Sequence, residues 1–523
     1  MPKPDQVKKP ETDPGTGEYA RLPHVAKGAM INFSGTISRA VLVYVYTFVL
    51  ARMLTADELG QYFLIFTIIN LLGAAAIVGL DMGVVRYVSL YAGQRNFNLA
   101  KKSLQTALLI GTPVGLFFAL GLYLAAPRVT DMFMNGNSAA VTPLRLFAIA
   151  IPLMVVARMF NSTTQGMHQM RYQVYSRDIG EQVFKLILTL GALGLGFGLL
   201  GVAGASVAAV AIAAALSLYY AWLVLLRFAK TGSDVTADAG QIRPGRALWR
   251  YSYPLALANV VVAVQLQTDM LLLGYLDTTS DVGYYGVALK LALVGSKILL
   301  AFAIVMTPII ADLWNRKMTE DLQTLFRVIT RWVVILNLPV LLVLIVFANG
   351  IMRIFGAGFT AGSVALVLLA AGQMVNAGTG MAGVMIIMSG MSKLELLNVV
   401  VTLIVDAGLC IVLIPRYGLV GAAIASMTSI VLVNIMRLAE VWHFMHMHPY
   451  EKSFLKPMVA AGAGVAVSSL AGYLVVGTGS LVRVGMLAAL LLIVYVAVMA
   501  ALGFDENDKD LYRMIRNRLR PAA

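Results

Sequence analysis

The stretch R-M-L-T-A-D-E-L-G-Q-Y-F-L-I-F-T-I-I-N-L-L-G-A-A-A-I-V-G-L-D-M-G-V-V-R, from Arg52 to Arg86, decides the fold. Thr55 with Glu58 three residues on is the spacing of a capping box, in which each side chain satisfies the other's free backbone N–H. An uncharged run of about 20 residues follows before Asp81, which is enough helix to cross a hydrocarbon core. The same opening recurs in the second half, where Leu276 to Tyr285 again leads an apolar run, so that Gly60 matches Gly283 and Tyr62 matches Tyr285. Each half therefore opens with the same hairpin of helices.

Outward from that stretch the correspondence continues. Gly166-Met167 matches Gly390-Met391, Pro113 matches Pro339, and Gly201-Val-Ala-Gly204-Ala205 matches Gly418-Leu-Val-Gly421-Ala422. All fall in order within a few residues of one offset, as an internal duplication requires. A block of six spans repeats once. Because six is even, both copies enter from the same side, and the repeat is parallel about an axis along the membrane normal.

Composition agrees. With 523 residues, 59% hydrophobic and 13% charged, the chain holds about fourteen apolar runs of spanning length, and the alternation of a β-barrel is missing. The expected fold is an all-α polytopic membrane protein with about 14 transmembrane helices, two parallel six-helix repeats plus two C-terminal helices. The boundaries are residues 1–28 as a disordered cytoplasmic tail, 29–228 as the N-terminal bundle, 229–249 as a cytoplasmic linker, 250–443 as the C-terminal bundle, 444–503 as the two added helices, and 504–523 as a basic cytoplasmic tail.

A formal net charge of +14 could suggest nucleic acid, but the basic residues sit in short loops. Threaded alternately, one side collects most of them, against Arg52, Arg128, Arg353, Arg416 and Arg483 on the other. The positive-inside bias then places both termini in the cytoplasm, in the cell (inner) membrane, and Trp222, Trp249, Trp314, Trp332 and Trp442 fall at span ends of that same side. No removable signal peptide precedes the first span.

Charged residues inside spans are costly and face cavities or partners. Arg39, Arg86, Lys290 and Lys297 are candidates to line one cationic cavity for an anionic substrate, Lys290 and Lys297 being seven apart on one helix face. The alternative is that Arg39 and Lys290 snorkel or pair with Asp269. Asp269 and Asp406, with Thr402 one turn before Asp406, are candidates for a coupling Na⁺ or H⁺; the alternative has Asp269 paired with Lys290 and Asp406 held in a packed interface. Glu181 and Lys185, four apart, read as a local pair, and Arg158 and Arg331 as snorkelling residues. His443, His446 and His448 lack the further ligands of a metal site and read as interface residues. Cys410, the single cysteine, reads as packing. No metal or cofactor is expected. With no P-loop, G-x-S-x-G or H-E-x-x-H and no large outer loop, the chain is not expected to be an enzyme.

Leu50 to Tyr62 (L-A-R-M-L-T-A-D-E-L-G-Q-Y), Gly79 to Val88 (G-L-D-M-G-V-V-R-Y-V), the run from Asp269 to Tyr285, and Leu413 to Ala425 (L-I-P-R-Y-G-L-V-G-A-A-I-A) resemble the polysaccharide transporter family, the O-antigen type flippases of the multidrug/oligosaccharidyl-lipid/polysaccharide exporter superfamily. The resemblance implies a V-shaped pair of six-helix bundles that alternates between inward-open and outward-open forms. Its cargo would be a polyprenyl-pyrophosphate-linked oligosaccharide, carried to the outer leaflet for polysaccharide biosynthesis, with membrane lipids and polysaccharide-assembly enzymes as partners and no nucleic acid. It also places a cation site in some relatives between the spans that here carry Asp269 and Asp406. Two rival functions remain: a multidrug or small-cation exporter of the same superfamily, which would favour an acidic, aromatic cavity, and a membrane-embedded glycan polymerase or ligase, which would need a large outer loop.

Overall fold

The computed structural model describes residues 22–231, 244–474 and 480–503. Residues 1–21 of the expected tail 1–28, the expected tail 504–523 and the centre of the expected linker lie outside the described residues. All regular structure among the described residues is helical. The first half contains α1 (Leu22–Met53), α2 (Ala56–Ile77), α3 (Leu80–Gly93), α4 (Phe97–Phe133), α5 (Val141–Ala148), α6 (Ala150–Gly166), α7 (Arg171–Gln173), α8 (Glu181–Gly194) and α9 (Gly198–Thr231). The second contains α10 (Pro244–Gln265), α11 (Thr268–Leu276), α12 (Thr279–Ala292), α13 (Val294–Asn315), α14 (Thr319–Val346), α15 (Ala348–Phe355), α16 (Ser363–Thr379), α17 (Ala382–Met388) and α18 (Ser392–Met445). Then come α19 (Leu455–Leu474) and α20 (Ser480–Leu502). The chain is a multi-pass membrane protein. Helix α1 begins at Leu22, several residues before the expected end of the tail.

The span count differs from fourteen. Among the described residues eleven helices are long and apolar enough to cross a membrane, or twelve when the bent pair Ala256–Gln265 and Thr268–Leu276 is one span. Two features account for the difference. The expected fifth segment, residues 179–200, is interrupted: α8 covers only the 14 residues Glu181–Gly194, with Glu181 and Lys185 in it, and the chain turns through Gly196 and Gly198 before α9. The expected eleventh and twelfth segments are both helical and run on without a loop as α18, but they are two arms folded back on each other at Gly418, where φ 55° and ψ −135° leave the helical region; Asn398 donates to Glu440 at 2.7 Å and Ser429 to Asp406 at 3.0 Å from one arm to the other. That conformation is open to glycine at little cost.

The two opening helices meet each other. At α2, Thr55 accepts from the Glu58 N–H at 3.2 Å while Glu58 accepts from the Thr55 N–H at 3.0 Å, completing the capping box read from sequence. Its counterpart α12 starts alike: Thr278 accepts from the Asp281 N–H at 3.2 Å, and its hydroxyl donates to the Asp281 carboxylate at 2.7 Å. Such a cap is worth about 1 kcal/mol to a helix start. The two starts lie side by side, and the Thr279 hydroxyl donates to Asp57, whose other oxygen accepts from Gln61 at 2.7 Å. One turn in, a Cβ on Gly60 would overlap the Thr279 carbonyl, and one on Gly283 the Ala56 carbonyl. The matched glycines are thus where the halves touch backbone to backbone.

Away from this end the halves diverge. After Val78 (φ 51°) and Gly79 (φ 65°) the chain turns into α3, which packs on α4, α6 and the incoming α10, while α13 packs on α14, α16 and α17 of its own half. A left-handed conformation at a β-branched residue is costly, and at Val78 it sets this change of direction. The halves are joined at the starts of α2 and α12; beyond them α1 faces α13, and the exposed Arg39 and Lys297 mark the cleft between these two helices.

Candidate functional site

The cleft is lined from both halves. Arg39, midway along α1, reaches the Asp178 carboxylate at 3.5 Å with 40% of its side chain still exposed. Asp178 and Arg177 lie in a π-helical stretch, Val174–Gly180, that leads into α8. Such a bulge re-aims side chains that a regular helix would place elsewhere. Gly35 of α1 packs against Val174 of this stretch, and the Ser176 hydroxyl donates to the Asn161 side chain at 3.0 Å, fixing it in place. Arg177 lies within electrostatic reach of Arg158, Arg39, Glu181 and Asp178. With Asp81, which Arg158 engages, the charges of this wall balance, so a net positive charge of the cleft comes from the lysines beside it.

From the other half, Lys297 on α13 is exposed and within electrostatic reach of Arg39. The residue just before it, Ser296, braces the chain by donating to Gln373 of α16 at 2.6 Å. Lys290, seven residues earlier and on the same side, lies nearer the seam with its ammonium 5.1 Å from the Phe63 ring centre and 5.9 Å from that of Phe66. It is within reach of Lys297 and of Lys185. The structure therefore brings Arg39, Lys290 and Lys297 to one cleft. Arg86 is exposed on α3, beyond the Val78–Gly79 turn.

Two sequence expectations are corrected. Lys185 does not pair with Glu181; its ammonium donates to the Tyr62 hydroxyl at 2.8 Å and lies over the rings of Tyr46 and Phe66 at 4.7 and 4.8 Å. The four-residue spacing could not reveal this because the competing partners come from α1 and α2. Arg158 turns inward to Asp81 of α3 at 3.0 Å, and Arg331 is buried with a hydrogen bond of 2.5 Å to Ser453, just ahead of α19.

The two acidic candidates, Asp269 and Asp406, lie together in the second half. Asp269, at the start of α11, accepts from the Tyr285 hydroxyl, from Ser426 at 3.0 Å and from the Met270 N–H at 2.8 Å. It does not pair with Lys290. Asp406 accepts from Ser429 at 3.0 Å and lies within electrostatic reach of Asp269. The Thr402 hydroxyl is turned to the Asn398 carbonyl at 2.6 Å, so it is engaged along its own helix. Among the described residues no group of three His, Cys, Asp or Glu side chains is arranged to hold a metal ion. His448 instead meets Gln323, whose amide donates to its carbonyl at 2.6 Å. Cys410 is buried.

At the seam, outside the spans, Asp277 lies against Gly418. Burial and the neighbouring Asp281 carboxylate raise its carboxyl above the usual range, and its Oδ2 finds no donor among the described residues.

The chain's likenesses agree with this geometry. The family model described as "Polysaccharide biosynthesis protein" matches residues 25–314, and the MatE model matches residues 254–409. A relative in Haloferax volcanii, "Probable low-salt glycan biosynthesis flippase Agl15", is 23% identical over 417 residues, which cover 79% of this chain and 82% of that protein. Among solved structures, "Lipid II flippase MurJ, inward closed conformation" superposes with a TM-score of 0.70 at 14% identity, covering 90% of this chain and 98% of that one. An inward-facing multidrug resistance MATE family transporter of the MOP superfamily gives 0.66 at 16% identity, covering 80% and 98%. With more than half of its length matched by the first model, the chain belongs to the polysaccharide biosynthesis protein family, the polysaccharide transporter group that its repeated motifs resemble.

Proposed function

We propose that this protein is a flippase that carries a polyprenyl-pyrophosphate-linked oligosaccharide from the cytoplasmic to the outer leaflet by alternating access. The observation that carries the reading is the meeting of Arg39 from one half with Lys297 from the other in a cleft of net positive charge. A charged glycan head cannot cross hydrocarbon unaided, whereas its prenyl tail can stay in the lipid. A cationic cleft that opens sideways between α1 and α13 suits such a cargo. The relative named as a glycan biosynthesis flippase supports the same reading. Deleting the gene should make one lipid-linked oligosaccharide accumulate on the cytoplasmic face; unchanged lipid-linked glycans would refute the proposal.

The orientation that accompanies it has the seam of α2 and α12 at the outer face and both termini in the cytoplasm. A reporter fused after Phe504 is expected to be active in the cytoplasm and one inserted at Asn135 outside. The reverse pattern would invert the direction of transport.

The second-half acidic pair favours a cation partner for the transport cycle. Asp269 and Asp406 are buried, close in electrostatic terms, and served only by hydroxyl and backbone donors. A Na⁺ or H⁺ taken up there would relieve the repulsion between the carboxylates, and its release would favour the other orientation. Reconstituted Asp406→Asn protein is expected to lose the response of transport to an imposed Na⁺ or proton gradient. A full response in that variant would remove Asp406 from the coupling step. The same pair, with the MatE match over residues 254–409, is what favours the second reading, export of a small organic cation. Stimulation of transport by such cations, without any effect on lipid-linked glycans, would select it.

A further inference from the structure

The two arms of α18 lie antiparallel about Gly418 and meet along a polar face. Ser429 of the second arm donates to Asp406 of the first at 3.0 Å, and nearer the arms' free ends Asn398 donates to Glu440 at 2.7 Å. Beside that contact Arg437 pairs with Glu395, its Nε donating at 3.1 Å. Helix α17, which packs on the arms here, carries no charged residue, and its Gly383 lies against the Arg437 guanidinium. Two carboxylates and one guanidinium therefore meet, and Glu440 has the Asn398 amide as its only hydrogen-bond donor among the described residues.

Asn398, Thr402 and Asp406 follow one another at four-residue steps on one face of the first arm, each about 6 Å further along the helix. They are 0, 2 and 5% exposed. The Asn398 Oδ1 meets no donor among the described residues. The Thr402 hydroxyl gives its proton to the Asn398 carbonyl at 2.6 Å, so only acceptor capacity is left on its oxygen. From Glu440 inward to Asp406 the face thus offers a row of oxygens that accept. An orphaned acceptor in a packed interior has a cost that an apolar side chain would not incur, and packing of the arms alone does not call for one.

The internal repeat supplies the contrast. At a common displacement of 221 residues Asn398, Thr402 and Asp406 correspond to Arg177, Glu181 and Lys185 of the first half. The same three steps there carry an arginine and a lysine, which repel a cation. The row of neutral and acidic oxygens belongs to the second half.

We propose that a small monovalent metal cation passes between the cytoplasm and the Asp269–Asp406 pair along this row, with Glu440 as the ligand at its mouth, Asn398 Oδ1 and Thr402 Oγ as the steps between, and the Arg437–Glu395 pair as the wall that holds the mouth open. This rests on the cation-coupling reading and adds to it a route, a mouth group and a ligand class. Amide and hydroxyl oxygens coordinate a cation in place of its water shell but do not titrate, which suits a metal cation better than a proton. Glu440 is partly exposed at the arms' free ends and gathers the cation from water. Because the row runs inside the second half, the cation does not share the cleft with the glycan.

The test uses the full-length protein in detergent with 22Na+, measuring equilibrium binding and the rate of release on dilution into unlabelled Na+. A residue on the route sets the rate and leaves the affinity alone. Asn398→Leu and Glu440→Gln are expected to bind within about twofold of wild type and to release about tenfold more slowly, as a barrier raised at one step requires. Glu440→Gln keeps the size of the side chain and an acceptor for the Asn398 amide, so it decides if Asn398→Leu does not give monodisperse protein. Release at the wild-type rate overturns the route. So does weakened binding without slowed release, which would make these residues struts of the packed arms. A wild type that binds no Na+ but takes up protons under an imposed gradient overturns the metal-cation route as well. Asp406→Asn separates the two readings: if the route alone fails, this variant still loses Na+ binding while the other two release normally, and if the coupling reading fails, it behaves as wild type does.

Discussion

Arg39→Ala or Lys297→Ala is expected to abolish complementation of a strain lacking the flippase while leaving the amount of protein in the membrane unchanged. The two halves of that statement come from different parts of the structure. Lys297 is exposed in the cleft, so its loss removes a positive charge and little packing. Arg39 holds Asp178, but Asp178 keeps Arg177 and Arg158 within electrostatic reach, so it is not left as an uncompensated buried charge. A charged hydrogen bond to a phosphate is worth about 1.5–3 kcal/mol, which corresponds to roughly 10- to 150-fold in affinity. Applied to a dilute membrane substrate, that loss is enough to stop growth-supporting flux. Lys297→Arg keeps the charge and is expected to retain transport. The measurement is growth and cell-surface glycan in the complemented strain, with membrane abundance by immunoblot. Normal glycan from both alanine variants would return these residues to a structural role.

How far the sequence reaches is clearest at residues where it succeeded and failed on the same helix. Gly60 and Gly283 were legible as partners because a repeat preserves order and offset, and the capping residues Thr55 and Thr278 mark where each copy begins. Helix periodicity and charge then give the class of fold and the cleft cations Arg39, Lys290 and Lys297. Lys185 was misread because local rules see only its own helix: Glu181 is the correct neighbour by spacing, yet the Tyr62 hydroxyl and three rings supplied by α1 and α2 are better placed. Extending the repeat offset from Lys185 to Asp406 would have marked it as more than a surface pair. The span count turns on one residue. Gly418 folds α18 back on itself with no loop between its arms, so a count of continuous helices merges two segments that the hydropathy pattern separates. The Arg177–Asp178 wall was equally hidden, because a π-helical stretch shifts side chains by a rotation that a 3.6-residue period cannot anticipate.

Gly60→Val is expected to shift the protein away from the arrangement seen here, with the seam between α2 and α12 forced open. At this site the obstacle is backbone: a Cβ on Gly60 would run into the Thr279 carbonyl, and its nearest neighbours beyond that are the Thr279 carbonyl carbon and the Gly283 nitrogen, none of which can rotate away as a side chain could. Close-packed interiors give only by moving whole elements, and inserting methyl groups into such a contact costs about 1–3 kcal/mol or more. Each half keeps its own core, because the clash lies between halves. The cheapest relief is therefore to part α2 from α12, which breaks the Thr279–Asp57 hydrogen bond as well. A cost of that size moves a two-state balance about 5- to 150-fold toward the form open at this end. With Cys410 replaced by Ser and a cysteine introduced at Thr279, labelling by a membrane-impermeant thiol reagent should rise in Gly60→Val and transport should fall. Gly121→Ala on α4, where a Cβ meets nothing within 4 Å, should change neither. If labelling at position 279 is as slow in Gly60→Val as in the parent, the halves do not close on one another at these glycines, and the hinge of the transport cycle must be sought elsewhere.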